Sequence, residues 1–227
     1  MVKRIYDIVF AVLLLIISFP IMVFTVLGIS IFSRGPIIYR AQRMGKGGVP
    51  FTLYKFRTMR VDSGQVRLTT LKEDERIYPF GRFLRKSKID ELPQLVNILL
   101  NQMSVVGPRP EDVAIAEEIY TGKYNAIYSV KPGLTSPASL FDFTHGEKYK
   151  SYEEYKKEFL PLKLDMELFY VQNNNIWHDI KITSRTALII ILNVLGKKDF
   201  KYPKEYYAIQ KLKKRDDIGE QYYNAKV

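Results

Sequence analysis

The chain has 227 residues, enough for one sizeable hydrophobic core, and 47% of them are hydrophobic, which excludes a disordered chain. It has no cysteine, which excludes a disulfide framework, a thiol nucleophile and a zinc ribbon, and its two histidines are too few for a His-rich metal site. The net charge is +11, from 35 Lys and Arg against 24 Asp and Glu. Residues 1–60 hold nine of the cations and one acid, so the positive charge is concentrated near the start of the chain.

The first element is a strongly apolar segment, residues 5–32, whose one charged residue is Asp7. As an α-helix it would be ~42 Å long, more than the ~30 Å of a bilayer hydrocarbon core. A secretory signal peptide is disfavoured because the apolar stretch is too long and no small-residue cleavage site follows it. A plain membrane-spanning helix remains the simple alternative.

Two features of this segment favour a bent, re-entrant helix instead. Pro20 lies near its middle and removes a backbone hydrogen bond to the Ile16 carbonyl, and Ser18 could offer its hydroxyl to the freed backbone. Basic residues also flank both ends, and positive charge normally stays on the cytoplasmic side. The sequence therefore predicts that both ends of this segment lie on the same membrane face.

The remaining elements predict an α+β, mainly helical protein. Short strands are predicted at residues 37–39 and 51–56, with glycines between them that are typical of a hairpin. A helix is predicted over residues 90–102, and another pattern, over 152–169, is divided or kinked by Pro161. The helix at 90–102 has a predicted core stripe formed by Leu92, Leu95, Val96, Leu99 and Met103.

The helical segment at residues 176–195 has two interpretations: an amphipathic helix in the membrane interface, or a buried core helix. The predicted organisation is a re-entrant membrane helix (1–34), a compact cytoplasmic catalytic domain with a small β-hairpin and amphipathic interfacial helices (35–195), and a basic C-terminal tail (196–227).

Two adjacent acids, Asp90 and Glu91, stand at the start of the helix predicted over 90–102. In the simple interpretation Asp90 is an N-cap and Pro93 occupies the first turn. In the functional one, carboxylates held ionised beside unpaired N–H groups attack phosphorus or hold a divalent cation. The pair alone does not distinguish these interpretations.

Several cations accompany the two acids along the chain. Lys55 and Arg57 are two apart on a predicted strand and so share a face, and Arg85 precedes Asp90 by five residues. Arg109 lies between two prolines, which restrict its backbone and suit a fixed bidentate contact with phosphate. Each of these could be a solvated surface cation. Together with the acids, in a chain attached to a membrane, they predict a phosphate or pyrophosphate substrate and a metal ion.

Taken in order, these motifs resemble one family, the bacterial sugar transferases, which are monotopic polyprenyl-phosphate phosphoglycosyl transferases. The resemblance covers about residues 3–195. It rests on the apolar helix with Ser18 and Pro20, Tyr54-Lys55-Phe56-Arg57-Thr58-Met59, Asp90-Glu91-Leu92-Pro93-Gln94-Leu95, Gly107-Pro108-Arg109-Pro110, Lys131-Pro132-Gly133, Leu164-Asp165 and Trp177-His178-Asp179-Ile180-Lys181-Ile182.

The resemblance implies transfer of a sugar 1-phosphate from a UDP-sugar to undecaprenyl phosphate, with release of UMP, at the cytoplasmic face of the bacterial inner membrane. It implies that Asp90 is the nucleophile, that it forms a covalent phosphosugar intermediate, and that Glu91 binds Mg²⁺. By the same resemblance the substrate-binding residues are Lys55, Arg57, Arg85, Arg109 and Asp165. Membrane lipids are implied partners, and a homodimer is left open.

Residues 136–146 depart from the family pattern, in which a Gly-x-Ala-Gln-Val-Asn-Gly-Arg stretch contains an arginine that has no clear counterpart here. The competing hypothesis is a non-catalytic, basic membrane adaptor for anionic lipid or proteins, based on the positive first quarter of the chain. Nucleic acid is not an expected partner, since no recognised binding motif is present and the charge of residues 61–227 is nearly balanced.

Overall fold

The computed structural model describes residues 1–61, 75–146 and 154–213, and in these ranges the chain is mostly helical with two small sheets, as the α+β prediction requires. The strands are β1 (Ile38–Met44), β2 (Pro50–Phe56), β3 (Ser104–Val106) and β4 (Gly133–Thr135). The α-helices are α1 (Val2–Phe32), α2 (Pro79–Lys86), α3 (Gln94–Leu99), α4 (Val113–Ile119), α5 (Pro137–His145), α6 (Leu160–Asn173), α7 (Ile176–Val194) and α8 (Lys204–Lys213).

The long helix α1 buries one face and exposes the other. Its buried residues are four or seven apart, which places them on a single side of the helix: Asp7, Ala11, Ser18, Thr25 and Ile29. The opposite side is apolar yet exposed, with Phe24 at 72% and Ile17 at 70%. By length and composition α1 is able to cross a membrane. It thus presents an apolar face that the described part of the chain does not cover.

Pro20 lies inside α1, and the helix continues through it without interruption. The prediction that Ser18 compensates for this proline is wrong. Its hydroxyl donates to the Leu14 carbonyl, 2.6 Å away, rather than to the backbone near Ile16. A serine in a helix reaches the carbonyl one turn back, four residues away, whereas Ile16 is only two residues away and lies on another side.

Three charged residues attach the start of α1 to the rest of the protein. Asp7 is 2% exposed and accepts hydrogen bonds from the Ser104 hydroxyl at 2.9 Å and from the Val105 N–H at 2.9 Å. Lys3 pairs with the buried Asp179 of α7, and Arg4 donates to the last carbonyls of α3. The single acid of the apolar segment is therefore a structural contact with β3.

The end of α1 is attached to the same body. A side-chain carbon at Gly28 would lie 2.5 Å from the Phe80 ring, so the absence of one lets α2 approach closely. Beyond the helix, the Arg57 guanidinium donates to the backbone carbonyls of Ser33 and Arg34. Ser33 is the C-cap of α1 and Arg34 is the residue after it, so the guanidinium lies at the C-terminal end of the helix, where a cation is favoured.

The hairpin prediction is confirmed and extended. Strands β1 and β2 pair antiparallel from Ile38 with Phe56 to Met44 with Pro50, so both strands are longer at the turn side than predicted. Gly47 and Gly48 in the connection have φ values of 70° and 72°, which glycine adopts without a steric penalty. The hairpin places Lys55 near its open end, next to the turn that contains Asp90.

The single helix predicted over residues 90–102 is wrong in its extent. The chain forms a 3₁₀ turn at Ile89–Glu91 and then α3 over Gln94–Leu99. Pro93, which has no N–H, separates them, and Asn101 in the left-handed region (φ 66°) follows the end of α3. The core stripe changes accordingly, because Ile98 is fully buried whereas Val96 and Leu99 are 41% and 37% exposed.

In the C-terminal part, Pro161 divides the helical pattern as predicted. A π-helical turn at Tyr155–Phe159 precedes α6, and Pro161 occupies the first turn of α6. Of the two interpretations of residues 176–195, the buried core helix is wrong. In α7 only Asp179 and Ile182 are buried, and Leu188 and Ile191 are each 56% exposed. Helix α8, in the segment predicted as a tail, buries Ile209 in one core with Phe159 and Met166.

The Asp7 contacts lead to a test of how α1 is held. Replacing Asp7 by Ala removes the acceptor for a buried hydroxyl and a buried N–H, so we expect the free energy of unfolding in detergent to fall by about 1–3 kcal/mol. Ser30→Ala is the control, since Ser30 is exposed on the same helix and donates only to the Val26 carbonyl. Equal stability of the two variants would contradict the proposed attachment.

Candidate active site

The two adjacent acids lie in the 3₁₀ turn Ile89–Glu91, between α2 and α3, and both are buried, Asp90 at 5% and Glu91 at 8% exposed. The interpretation of Asp90 as a helix N-cap is wrong, because its side chain makes no capping hydrogen bond and its buried Oδ1 has no partner in the described residues. Lys88, just before the turn, has a left-handed backbone (φ 59°). A carboxylate oxygen buried without a partner is costly, and such groups concentrate at functional sites.

Two lysines from different elements converge on the Glu91 carboxylate. Lys55 Nζ of β2 lies 3.1 Å from Glu91 Oε1, and Lys88 Nζ lies 3.3 Å from the same oxygen. The approach of β2 is fixed by Asn97 of α3, whose side chain accepts from the Tyr54 N–H at 3.1 Å and donates to the Thr52 carbonyl at 2.7 Å. A buried amide thus ties the acids to the strand that contains Lys55.

These cations act differently on the two acids. Burial raises the pKa of Glu91, but Lys55, Lys88 and Arg109 outweigh it, so its pKa lies well below the usual range and Glu91 is ionised. For Asp90, burial is the largest effect and Glu91 adds to it, so its pKa is raised although Lys55, Lys88 and Arg85 oppose the shift. Burial also lowers the pKa of Lys55, which the two acids partly offset. The site therefore pairs a firmly ionised carboxylate with a more basic one.

Arg109 is presented by a loop that backbone contacts hold in place. Strands β3 and β4 pair in parallel, and the pairing continues as the Gly107 N–H donates to the Thr135 carbonyl at 3.0 Å and the Gly133 N–H to the Pro108 carbonyl at 2.8 Å. A side-chain carbon at Gly133 would lie 2.1 Å from the Gly107 nitrogen, so the two chains approach as only glycines allow.

The Arg109 guanidinium lies in a negative environment. Burial lowers the pKa of Arg109, but the negative charges of Glu91, Glu111 and Asp142 raise it by more. The net result is a pKa above the usual arginine value. Glu91 and Arg109 thus each stabilise the charged form of the other. Across residues 1–61, 75–146 and 154–213, no acceptor forms a hydrogen bond or ion pair with this guanidinium. Its donors are available for an anionic ligand.

The structure brings together some of the predicted site residues and separates others. Arg85 donates from Nε to the Thr58 hydroxyl at 2.9 Å and contributes to the field at Asp90. Arg57 instead contacts the carbonyls that follow α1. Asp165 is 2% exposed and accepts from Lys123 and Tyr124, each about 3 Å away (3.1 and 2.9 Å). Its contacts are with the segment Gly122–Ser129 rather than with Asp90.

Comparison with known proteins shows the family of this chain. Residues 1–193 match the family described as bacterial sugar transferase. The chain belongs to that family. A UDP-glucose:undecaprenyl-phosphate glucose-1-phosphate transferase of Caulobacter vibrioides is 36% identical over 189 residues, covering 82% of this chain and 68% of the relative. The resemblance predicted from the motifs is confirmed, and with it the enzyme class of sugar phosphotransferases.

Other relatives in the family are named for different sugars. The Escherichia coli UDP-glucose:undecaprenyl-phosphate glucose-1-phosphate transferase is 36% identical over 191 residues, which cover 82% of this chain and 39% of the relative. The undecaprenyl-phosphate galactose phosphotransferase of Salmonella typhimurium is 33% identical over 207 residues, covering 83% of this chain and 40% of the relative. This sugar transferase thus spans about two fifths of the length of these two relatives.

The sequence analysis missed three residues that belong to this site: Lys88, Phe143 and Glu167. Lys88 lies over the Phe143 ring, 4.9 Å from its centre, and so joins Glu91 to α5, within the stretch that departs from the family pattern. Glu167 accepts from the Arg109 N–H at 3.0 Å. For Lys88 the available signal was its proximity to Asp90, whereas Phe143 and Glu167 are distant in sequence and reach the site only through the fold.

The Mg²⁺ implied by the family fits the residues present. Within the described residues, no group of three or more acids or histidines could form a metal site by itself. Mg²⁺ is commonly held by one or two carboxylates together with substrate phosphates. Glu91 is ionised, and the adjacent Asp90 has a buried oxygen without a partner, so the pair supplies the donor set that such a shared site needs.

Proposed function

We propose that this sugar transferase moves a sugar 1-phosphate from a UDP-sugar to undecaprenyl phosphate and releases UMP, the first step in building a bacterial surface glycan. The proposal is carried by one observation: two adjacent buried carboxylates, Asp90 and Glu91, lie within a field of cations. The relatives' names supply the substrate class. They include both glucose and galactose transferases, so the proposal covers the reaction and not one sugar.

The chemistry takes two displacements at phosphorus. A carboxylate oxygen of Asp90 attacks the β-phosphorus of the UDP-sugar, the bond from this phosphorus to the bridging oxygen breaks, and UMP leaves with that oxygen and the electron pair. A phosphate oxygen of the lipid then attacks the phosphorus of the aspartyl-phosphosugar, and the Asp90 carboxylate leaves. The raised pKa of Asp90 suits the first step, since a more basic carboxylate is a stronger nucleophile once ionised.

The remaining residues bind and orient phosphate. Arg109 presents free guanidinium donors, and Lys55, Lys88 and Arg85 hold positive charge around the two acids, so that negative charge developing on phosphate oxygens is stabilised. Mg²⁺ held by Glu91 and the diphosphate would neutralise further charge on the substrate. Arg57 and Asp165 remain predicted substrate-binding residues, and their contacts suit roles in holding the site's framework.

The membrane arrangement proposed here is a re-entrant α1 at the cytoplasmic face of the inner membrane. Both ends of α1 contact the same folded body, through Asp7 at the start and through Gly28 beside Phe80 at the end. A plain span would carry its two ends to opposite sides of the bilayer. The exposed apolar residues of α7, with Trp177 70% exposed, suit the same membrane surface.

The nucleophile is tested with Asp90→Asn. We expect this variant to release no UMP from a panel of UDP-sugars, because an amide cannot form the acyl-phosphate bond. The wild-type protein, incubated with its UDP-sugar and no lipid acceptor, should gain the mass of one phosphosugar on the peptide that contains Asp90. Glu117→Gln, which changes an exposed acid on α4, is the control. UMP release that strictly requires both substrates at once would contradict the covalent intermediate.

The metal is tested by removal. We expect EDTA to stop UMP release, because without the metal the negative charge of the diphosphate is no longer balanced. Added Mg²⁺ should restore the release. Glu91→Gln should need a much higher Mg²⁺ concentration for half-maximal rate, while Glu117→Gln should not. Unchanged activity in EDTA would contradict the metal proposal. Absence of UMP in every condition, with salt-sensitive lipid binding that Asp90→Asn leaves intact, would favour the membrane adaptor instead.

The topology is tested with small tags at residues 1 and 227 in intact and permeabilised bacterial cells. We expect both tags to be protected from an external protease or impermeant label until the inner membrane is opened, because both ends of α1 carry cations and contact one body. Labelling of one terminus alone in cells with a permeable outer membrane would contradict the re-entrant helix.

A further inference from the structure

We propose that Glu167 of α6 is a positioning residue for Arg109, holding the backbone of the Gly107–Pro110 loop so that the guanidinium faces the diphosphate. The inference rests on the proposed function, because it assigns Arg109 a substrate phosphate. It concerns an acid other than Asp165, which the family resemblance had selected two residues earlier on the same helix.

The contacts of Glu167 are specific to this loop. Its Oε1 accepts from the Arg109 N–H at 3.0 Å and from the Ser136 hydroxyl at 3.0 Å. Ser136 is the N-cap of α5, where its oxygen accepts from the Ser139 N–H at 2.9 Å. One carboxylate oxygen therefore joins the Arg109 loop to the start of α5, the helix that places Phe143 over Lys88.

The Arg109 N–H depends on this contact because of its neighbours. Pro108 and Pro110 have no N–H groups, so the Arg109 amide is the one backbone donor between Gly107 and Glu111. Gly107 and Pro108 are already bonded to β4. Glu167 completes the attachment at the residue whose side chain is proposed to act, and a displacement of about 1 Å at such a group can cost about a hundredfold in rate.

Burying the Glu167 carboxylate costs free energy, because the group loses its hydration and one of its oxygens gains no hydrogen bond from the described part of the chain in return. Glu167 is 1% exposed and its Oε2 has no partner in the described residues. Asp165, two residues away and so on the opposite side of α6, instead contacts Lys123 and Tyr124. Buried groups with unmet hydrogen-bonding capacity are retained where function requires them.

The test is a double-mutant cycle on the full-length protein, with UMP release as the readout. We expect Glu167→Ala to lower kcat about 10- to 100-fold. In the background of Arg109→Ala the same change should have little further effect, because a residue that acts through Arg109 has nothing left to position. Glu167→Gln should retain most activity, since its amide oxygen can accept both hydrogen bonds. Equal losses from Glu167→Ala in both backgrounds would overturn the proposal.

A second measurement does not depend on the reaction. Amide hydrogen exchange at Arg109 should accelerate in Glu167→Ala and remain near the wild-type rate in Glu167→Gln and in Glu158→Ala, an exposed glutamate in the turn before α6. Unchanged exchange in Glu167→Ala would overturn the proposal. If the wild-type protein releases no UMP from any UDP-sugar, the proposed function fails, while accelerated exchange would still establish that Glu167 holds the loop.

Discussion

Two adjacent carboxylates buried side by side are the constraint on which the rest of this protein depends. Asp90 and Glu91 repel each other and lose hydration, so they are tolerable only if cations are brought to them. The cations come from separate places: Lys55 from the hairpin, Lys88 from the turn after α2, and Arg109 from the loop after β3. The fold around the site holds these three segments against the short turn that contains the two acids. In the proposed reaction, the same cations would also contact the negative charge of a diphosphate.

The same constraint explains why the local supports are polar rather than apolar. Asn97 fixes β2 against α3 by hydrogen bonds to the backbone of β2. Glu167 fixes the Gly107–Pro110 loop by accepting a hydrogen bond from the Arg109 N–H. Apolar packing, such as Leu95 and Ile98 under the hairpin, sets distances only loosely, whereas hydrogen bonds to the backbone fix direction as well. The reaction proposed above, attack on phosphorus between positioned cations, would require that direction.

Sequence patterns predicted the elements with a local cause and missed those with a distant one. Local sequence features account for three of these elements: glycines for the hairpin, a proline for the division at Pro161, and a continuous apolar stretch for the exposed helix α1. The helix predicted over 90–102 is shorter in the structure because Pro93, which has no N–H, stands between the 3₁₀ turn and α3, and Asn101 takes a left-handed backbone after α3. The parallel pairing of β3 with β4 and the role of Glu167 join residues about thirty to sixty positions apart, and no local pattern encodes them.

The attachment of α1 has a consequence for how the protein is made. Ser104 and Val105, which donate hydrogen bonds to Asp7, are synthesised almost a hundred residues after it. At about 5–20 residues per second this leaves an interval on the order of 5–20 s in which the acid and its neighbouring cations have no protein partner. The apolar part of the helix can meet the bilayer during that time, whereas its polar end takes its final place only when β3 and α7 exist. Contact of the apolar part with lipid therefore comes first, and attachment of the polar end to the folded body follows it.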